Sequence, residues 1–201
     1  PQWQRARALY REGAIGKLVH VDGVFSFDNR ADTGNIRNRP ETGGGGIPDI
    51  GVYTYGSTRY VTGEEPERIA HAHIRWENGI DVFARVAADF PGFSAAFVNS
   101  MRMAPAQEMT FYGEEGALRL TAPFNPLVFG EARVEVHHNI RKGTEGSRVT
   151  AERFPAENHY VLQVEAFCRS LREGAAYPCP LEFSRGTQAM IDAVYEAAGR
   201  P

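Results

Sequence analysis

The chain has 201 residues, a formal net charge of −3, and a composition that is 42% hydrophobic and 11% aromatic, enough apolar material to fill one domain-sized core. The slight acidity leaves no basic surplus of the kind nucleic-acid binding requires, and no apolar run approaches the length of a membrane span. Cys168 and Cys179 could pair, but two cysteines in an otherwise ordinary chain with no signal peptide read better as reduced thiols, and the expected location is cytoplasmic. Lysine is confined to Lys17 and Lys142, so arginine carries nearly all the positive charge. The chain starts at Pro1 without a methionine and enters a helix at once, as expected of a piece of a longer protein.

Residues 1–12 predict a helix, with proline in the first turn and Trp3, Ala6, Leu9 and Tyr10 as its apolar stripe. Residues 18–28, rich in Val and Phe, predict a strand. Residues 29–46 form a long loop carrying Arg30, Arg37 and Arg39, a length that in a compact domain is usually functional. A helix follows to Gly63. The period then changes to two: strands are expected at 68–76, 81–90, 93–101, 107–112, 117–121, 131–138 and 148–154. The hairpin signal Glu77-Asn78-Gly79 joins the first pair, and a glycine-rich, charged loop at 141–147 joins the last. Helices at 158–173, with Val161, Val164, Phe167, Cys168 and Leu171 on one face, and at 184–198 close the chain. About seven or eight strands with short turns and helices at both ends read as α+β: a large open, mostly antiparallel sheet with helices on one face. Four helices leave the other face of such a sheet largely uncovered, and a second copy of the chain is the simplest partner for it.

The most informative stretch is residues 43–63, GGGGIPDIGVYTYGSTRYVTG. Four glycines allow close approach of another backbone or a flat cofactor ring, because no Cβ stands in the way. Asp49 falls where a helix N-cap or first turn is expected, and Gly63 stops the helix. Asp49 and Tyr53 are four apart and share a helical face, so a carboxylate and a phenol stand one turn apart. That pair can perform proton transfer if a substrate reaches it. Taken alone, the same residues also suit a cap, a core aromatic and a flexible loop.

The motifs PQWQRARALYREGAIGKLVHVDG, NIRNRPETGGGG, GGGGIPDIGVYTYGSTRYVTGEEP, ENGID, FPGFSAAF, YGEEGAL and NHYVLQVEAFCRSLREG, in that order, resemble the C-terminal domain of the Gfo/Idh/MocA oxidoreductases over essentially the whole chain. The resemblance implies a two-domain NAD(P)-dependent enzyme. Residues 1–201 would be its substrate-binding and oligomerisation domain, and a Rossmann domain that holds NAD or NADP would precede them. Many members carry a glycine run followed by Asp-x-Gly-x-His. Here Gly44-Gly45-Gly46-Ile47-Pro48-Asp49-Ile50-Gly51-Val52-Tyr53 keeps the acid and places tyrosine at the histidine position, which resembles the branch containing glucose–fructose oxidoreductase and dimeric dihydrodiol dehydrogenase. The resemblance makes Tyr53 the proton donor or acceptor at the reacting carbon and Asp49 the residue that orients substrate or tunes the tyrosine. The family's catalytic lysine belongs to the Rossmann domain, so the 201-residue chain alone is expected to have no turnover.

Around that pair, Gly45 and Gly46, Arg37 and Arg39, Phe27 and His159 are the further substrate- or cofactor-binding candidates. An arginine beside a cofactor cleft can hold a phosphate or a substrate oxygen. Phe27 ends a strand facing the loop, and His159 heads the penultimate helix. His71, His73, His137 and His138 form no metal-ligand pattern, and no metal is expected. The expected substrate is a sugar, polyol or related hydroxyl or carbonyl compound. The competing reading is a sheet module for dimerisation or ligand binding with no chemistry of its own.

Overall fold

A computed structural model of the chain describes residues 1–138, 148–155 and 158–199; the loop expected at 141–147 lies outside the described residues. Helix α1 (Gln2–Arg11) leads into strand β1 (Leu18–Asp28), and helix α2 (Val52–Thr62) follows the long loop. Strands β2 (Arg68–Glu77), β3 (Ile80–Phe90), β4 (Phe93–Ser100), β5 (Arg102–Gly113), β6 (Gly116–Leu120), β7 (Ala132–His138) and β8 (Arg148–Phe154) come next. Helices α3 (His159–Glu173) and α4 (Leu181–Ala197) complete the order. The expected α+β architecture is what forms: one eight-stranded sheet in the order β2-β3-β4-β1-β5-β6-β7-β8.

Every neighbouring pair is antiparallel except β1 with β4, which run parallel. The first strand is therefore inserted between β4 and β5 at the centre of the sheet. There Val21, Phe25 and Phe97 are buried from the helix side. Strand β5 starts at Arg102, five residues before the expected 107, because Asp28 and Ser26 at the end of β1 supply pairing partners for Arg102 and Ala106. The β2–β3 connection is the two-residue turn that Asn-Gly predicts, with Asn78 and Gly79 both at positive φ (50° and 80°).

Helices α1, α2 and α4 cover one face. Met190, Ile191 and Val194 of α4 join Tyr55 and Val61 of α2 and Ala6 and Leu9 of α1 in the core. Helix α4 begins at Leu181, directly after Pro180, three residues earlier than expected. Helix α3 departs from expectation. Its apolar stripe does not cover the sheet: Val161, Val164, Phe167 and Leu171 are all more than half exposed. Asn158 caps it, its side chain accepting from the backbone N–H of Tyr160 and Val161. One side of the helix, through His159, Leu162, Gln163, Ala166 and Arg169, borders the rest of the molecule across a cavity, and Phe167 meets Tyr177 edge-to-face at 6.4 Å.

Candidate active site

The loop between β1 and α2 is more ordered than its composition suggests. Two 3-10 turns, Ile36–Asn38 and Pro40–Thr42, shape it, and Asn35 caps the first by accepting from the Arg37 N–H. Buried Arg102 ties the loop to the sheet, donating to Glu77 (2.8 Å), Asn29 Oδ1 (2.9 Å) and Asn38 Oδ1 (3.1 Å). Of the two expected places, Asp49 takes the first turn, of the π-helix that leads into α2, and not the N-cap. It sits inside a π-helical turn, Ile47–Gly51, and the cap position falls on Gly51, which has no side chain to cap with. Pro48 is the second residue of that turn, where its missing N–H is not needed.

Three residues from two segments converge here. Arg37 donates through Nε to Asp49 Oδ2 at 2.7 Å, and both charges act on the Tyr53 ring. Tyr53 is 47% exposed. Its ring is held by Phe25 and Phe124, each with its centroid 5.5 Å away, and Phe124 in turn stacks on Phe25 at 4.9 Å and faces Trp3 at 6.1 Å. Helix α1 positions this wall. Gln2 Nε2 donates to the carbonyls of Ala122 and Pro123, and Trp3 Nε1 donates to Pro123 O at 2.9 Å, which fixes the segment that presents Phe124.

Tyr53 opens onto two adjoining cavities. One, of about 340 Å³, is lined by Trp3, Val52, Tyr60, Phe124 and Phe183. The other, of about 560 Å³, lies between Tyr53, Trp3 and Phe124 on one side and His159, Leu162 and Arg169 of α3 on the other. Both have the size and predominantly apolar lining of small-molecule sites. Burial pushes the Tyr53 phenol above its ordinary value. The nearby Tyr160 and the Asp49 carboxylate add to that shift, while the Arg37 guanidinium opposes it. Replacing Asp49 with Asn is therefore expected to lower the Tyr53 titration midpoint, and replacing Arg37 with Gln to raise it further, as followed by NMR of ¹³C-labelled tyrosine. Unchanged midpoints in both variants would mean the three groups do not sense one another.

The remaining sequence candidates fall at different distances from this centre. His159 lines the larger cavity, with its ring 4.1 Å from that of Tyr160. Burial lowers its pKa, and its buried Nδ1 has no partner among the described residues. Phe27 is one ring removed, edge-to-face on Phe25 at 6.4 Å. Arg39 pairs with Glu41 at 3.0 Å and does not line the cavities. Gly45 and Gly46 face the buried carboxylate of Asp81: a Cβ on Gly45 would overlap Asp81 Oδ1, and one on Gly46 would lie 3.3 Å from Oδ2. The cofactor-facing role read from the glycines thus has a packing explanation beside it.

Trp3, Phe124 and Asp81 were not among the sequence candidates. Trp3 reads as a helix-stripe residue, Phe124 lies in a segment without periodicity, and Asp81 reads as the first residue of a strand. The one visible signal was an acid opening an otherwise apolar run, Ile80-Asp81-Val82-Phe83. Among the described residues no group of His, Cys, Asp and Glu side chains could hold a metal ion, Cys168 and Cys179 are free, and no helix is long and apolar enough to cross a membrane.

A profile of the GFO/IDH/MocA C-terminal domain matches residues 3–119. The chain belongs to the Gfo/Idh/MocA oxidoreductase family. It is 33% identical, over its full length and 60% of the relative's, to an uncharacterized oxidoreductase, ORF334, of Rhizobium meliloti. It is 30% identical, over 96% of this chain and 57% of the relative, to a dTDP-3,4-didehydro-2,6-dideoxy-alpha-D-glucose 3-reductase of Saccharopolyspora spinosa. Among solved structures, the 3-ketoreductase KijD10 of Actinomadura kijaniata, in complex with NADP and TDP-benzene, superposes with a TM-score of 0.82. That match has 22% identity and covers 98% of this chain and 59% of that one. An aldose-aldose oxidoreductase of Caulobacter crescentus complexed with glycerol gives a TM-score of 0.81 at 21% identity, covering 98% of this chain and 58% of that one. The Gfo/Idh/MocA chain described here thus spans about 60% of the length of these curated relatives.

Proposed function

We propose that this chain is the substrate-binding and oligomerisation domain of a cytoplasmic NAD(P)-dependent oxidoreductase. The enzyme would move hydride between a nicotinamide and a hydroxyl or carbonyl carbon of a sugar, a polyol or a nucleotide-linked sugar. One observation carries the reading: a half-exposed phenol, flanked by an Arg–Asp pair, at the mouth of an aromatic-walled cavity. The relatives favour the substrate class, being named for reductases of dTDP-linked keto-sugars and, in Haloferax volcanii, for an NADP-dependent D-xylose 1-dehydrogenase at 28% identity.

The residues present suit the ring end of a nicotinamide. Tyr53, Phe124 and Trp3 offer a flat apolar wall, whereas the Gly46–Ile47 backbone is already turned toward Asp81. When bound, NAD(P) supplies or takes the hydride. What this chain adds is the proton. Because burial holds the Tyr53 phenol above its ordinary range, the phenol stays protonated near neutral pH and can donate to the oxygen of a carbonyl as it becomes an alkoxide. Of the charged pair beside Tyr53, Arg37 favours the phenolate left behind and Asp49 opposes it, the carboxylate acting more strongly. In oxidation the same groups act in reverse once the phenol has lost its proton, which its raised pKa confines to higher pH.

The test is turnover by the full-length protein with NADPH or NADH against keto-sugars and nucleotide-linked keto-sugars, or with the oxidised cofactors against D-xylose and polyols. Substrate-dependent cofactor consumption supports the reading, and its absence across both cofactors and all substrate groups opposes it. Robust turnover by residues 1–201 alone would contradict the two-domain assignment.

The same proposal assigns the uncovered sheet face to a homo-oligomer. Directly paired Ala87 and Ala96, and Val98 beside Val24, lie partly exposed on it. Toward one side lie the pairs Arg119–Glu108 and Arg133–Glu135, each at 2.6 Å. A small-residue stripe bordered by charge suits close apposition of a second copy. Ala96→Arg is expected to convert the assembly to single copies in sedimentation analysis, with α2 and its site unaffected. An unchanged mass would place the interface elsewhere.

A further inference from the structure

Asp81 is an ionisable side chain that the proposed chemistry does not use, and it is 1% exposed. A carboxylate so deeply buried is tolerated only when its oxygens are satisfied by hydrogen bonds. Its donors come from two elements far apart in sequence. Oδ2 accepts from the Ile47 N–H at 2.6 Å, and the Gly46 N–H also points at the carboxylate. Oδ1 accepts from the Tyr195 hydroxyl of α4 at 2.7 Å. Two consecutive backbone N–H groups aimed at one anion form a nest, here filled by a side chain of the same protein.

The glycine run explains itself around this anion. Gly44 and Gly45 donate their N–H groups to the carbonyls of Arg39 and Arg37, at 3.0 and 3.1 Å. Ile47 donates its N–H to Asp81, and the Gly46 N–H favours the same carboxyl group. One short backbone segment is thus bonded to the arginine loop on one side and to strand β3 on the other. Neither side tolerates a Cβ: at Gly44 it would meet the carbonyls of Ile36, Arg37 and Arg39, and at Gly45 it would meet Asp81 itself, at a φ of 141°. The Asp81-bound Ile47 is also the first residue of the π-helical turn that carries Asp49.

We propose that Asp81 is the positioning residue of the site: a buried carboxyl group on the sheet that folds the Gly44–Ile47 backbone around itself and thereby places Arg37, Asp49 and Tyr53 relative to one another. This rests on the reading of Tyr53 given above. Asp81 touches none of the reacting groups. It acts through the loop, and Tyr195 extends the tie to the last helix.

The experiment is Asp81→Asn in the full-length protein, with Tyr195→Phe as the milder partner that leaves both N–H donors in place. Asparagine keeps the shape and can still accept from the Ile47 N–H through Oδ1 while donating to the Tyr195 oxygen, so what it removes is the charge behind those hydrogen bonds. The expected result is a drop in kcat of about 10- to 100-fold, since a displacement near 1 Å at a catalytic group costs that much. The Kd for the cofactor should hold within about twofold. The Gly46 and Ile47 amides should exchange hydrogen faster, and the ¹³C titration of Tyr53 should shift. Tyr195→Phe should lower kcat by about three- to tenfold. The proposal is overturned if Asp81→Asn lowers the melting temperature yet, at a temperature where it is fully folded, keeps the wild-type kcat and Tyr53 titration. If Asp81→Asn does not fold, Tyr195→Phe decides alone: a lower kcat supports the proposal, and an unchanged kcat overturns it. Failure of the underlying reading looks different: Tyr53→Phe would retain full turnover, whatever Asp81→Asn does.

Discussion

Tyr53→Phe in the full-length protein is expected to reduce kcat by about 10²- to 10⁴-fold, the range removed with a general acid or base. Binding of sugar substrate should change little, because phenylalanine keeps the apolar ring between Phe25 and Phe124 and loses only the hydroxyl. The loss should be equal in kcat and kcat/KM, the signature of an interaction made in the transition state. Asp49→Asn is expected to cost less, since Asp49 acts on the ring through charge and through Arg37 rather than at the reacting atom. The measurement is initial rates with saturating cofactor, paired with calorimetric binding of the substrate. A Tyr53→Phe enzyme at wild-type speed would remove the proton-transfer role and leave the domain as a binding and assembly module.

Phe97→Ala is expected to destabilise the chain by about 3–5 kcal/mol, the cost of deleting a buried aromatic ring and leaving its cavity. Phe97 is 1% exposed at the centre of β4, between β3 and β1. Its ring meets Tyr55 of α2 at 5.2 Å, and it crowds Gly23 of β1 so closely that a Cβ there would lie 3.0 Å away. The vacancy would therefore open beneath the helix that carries Tyr53, and activity should fall with stability. On the opposite face, the neighbouring Val98→Ala should cost well under half as much in a monomer, because its side chain is only partly buried. Urea unfolding of the two variants gives the comparison. Similar midpoints for both would mean the core does not sit where the burial pattern puts it.

Much of this protein was legible in its sequence because the relevant physics is local. The period-two strands, the Asn78-Gly79 hairpin and the helix stop at Gly63 follow from side-chain alternation and from the backbone freedom of glycine and asparagine, and the structure contains each. The four-residue spacing of Asp49 and Tyr53 was equally visible, and their ordered family motif pointed to the oxidoreductase fold. The parallel pairing of β1 with β4 was not legible, because strand order is a choice among long-range partners that no short window encodes. The same holds for α3, whose apolar stripe reads like any core helix although it stays more than half exposed among the described residues.

What the sequence determined by itself is the order of helices and strands and the four-residue spacing of Asp49 and Tyr53, since both rest on spacing along one backbone. What only the tertiary structure decided is which groups surround them. Arg37 reaches Asp49 because two 3-10 turns fold the loop back, Phe124 reaches Tyr53 because α1 holds the segment after β6, and the glycines are spent on Asp81, 36 residues from Gly45. Such contacts arise from packing between distant segments, and their energies become definite only once the sheet has brought those segments together.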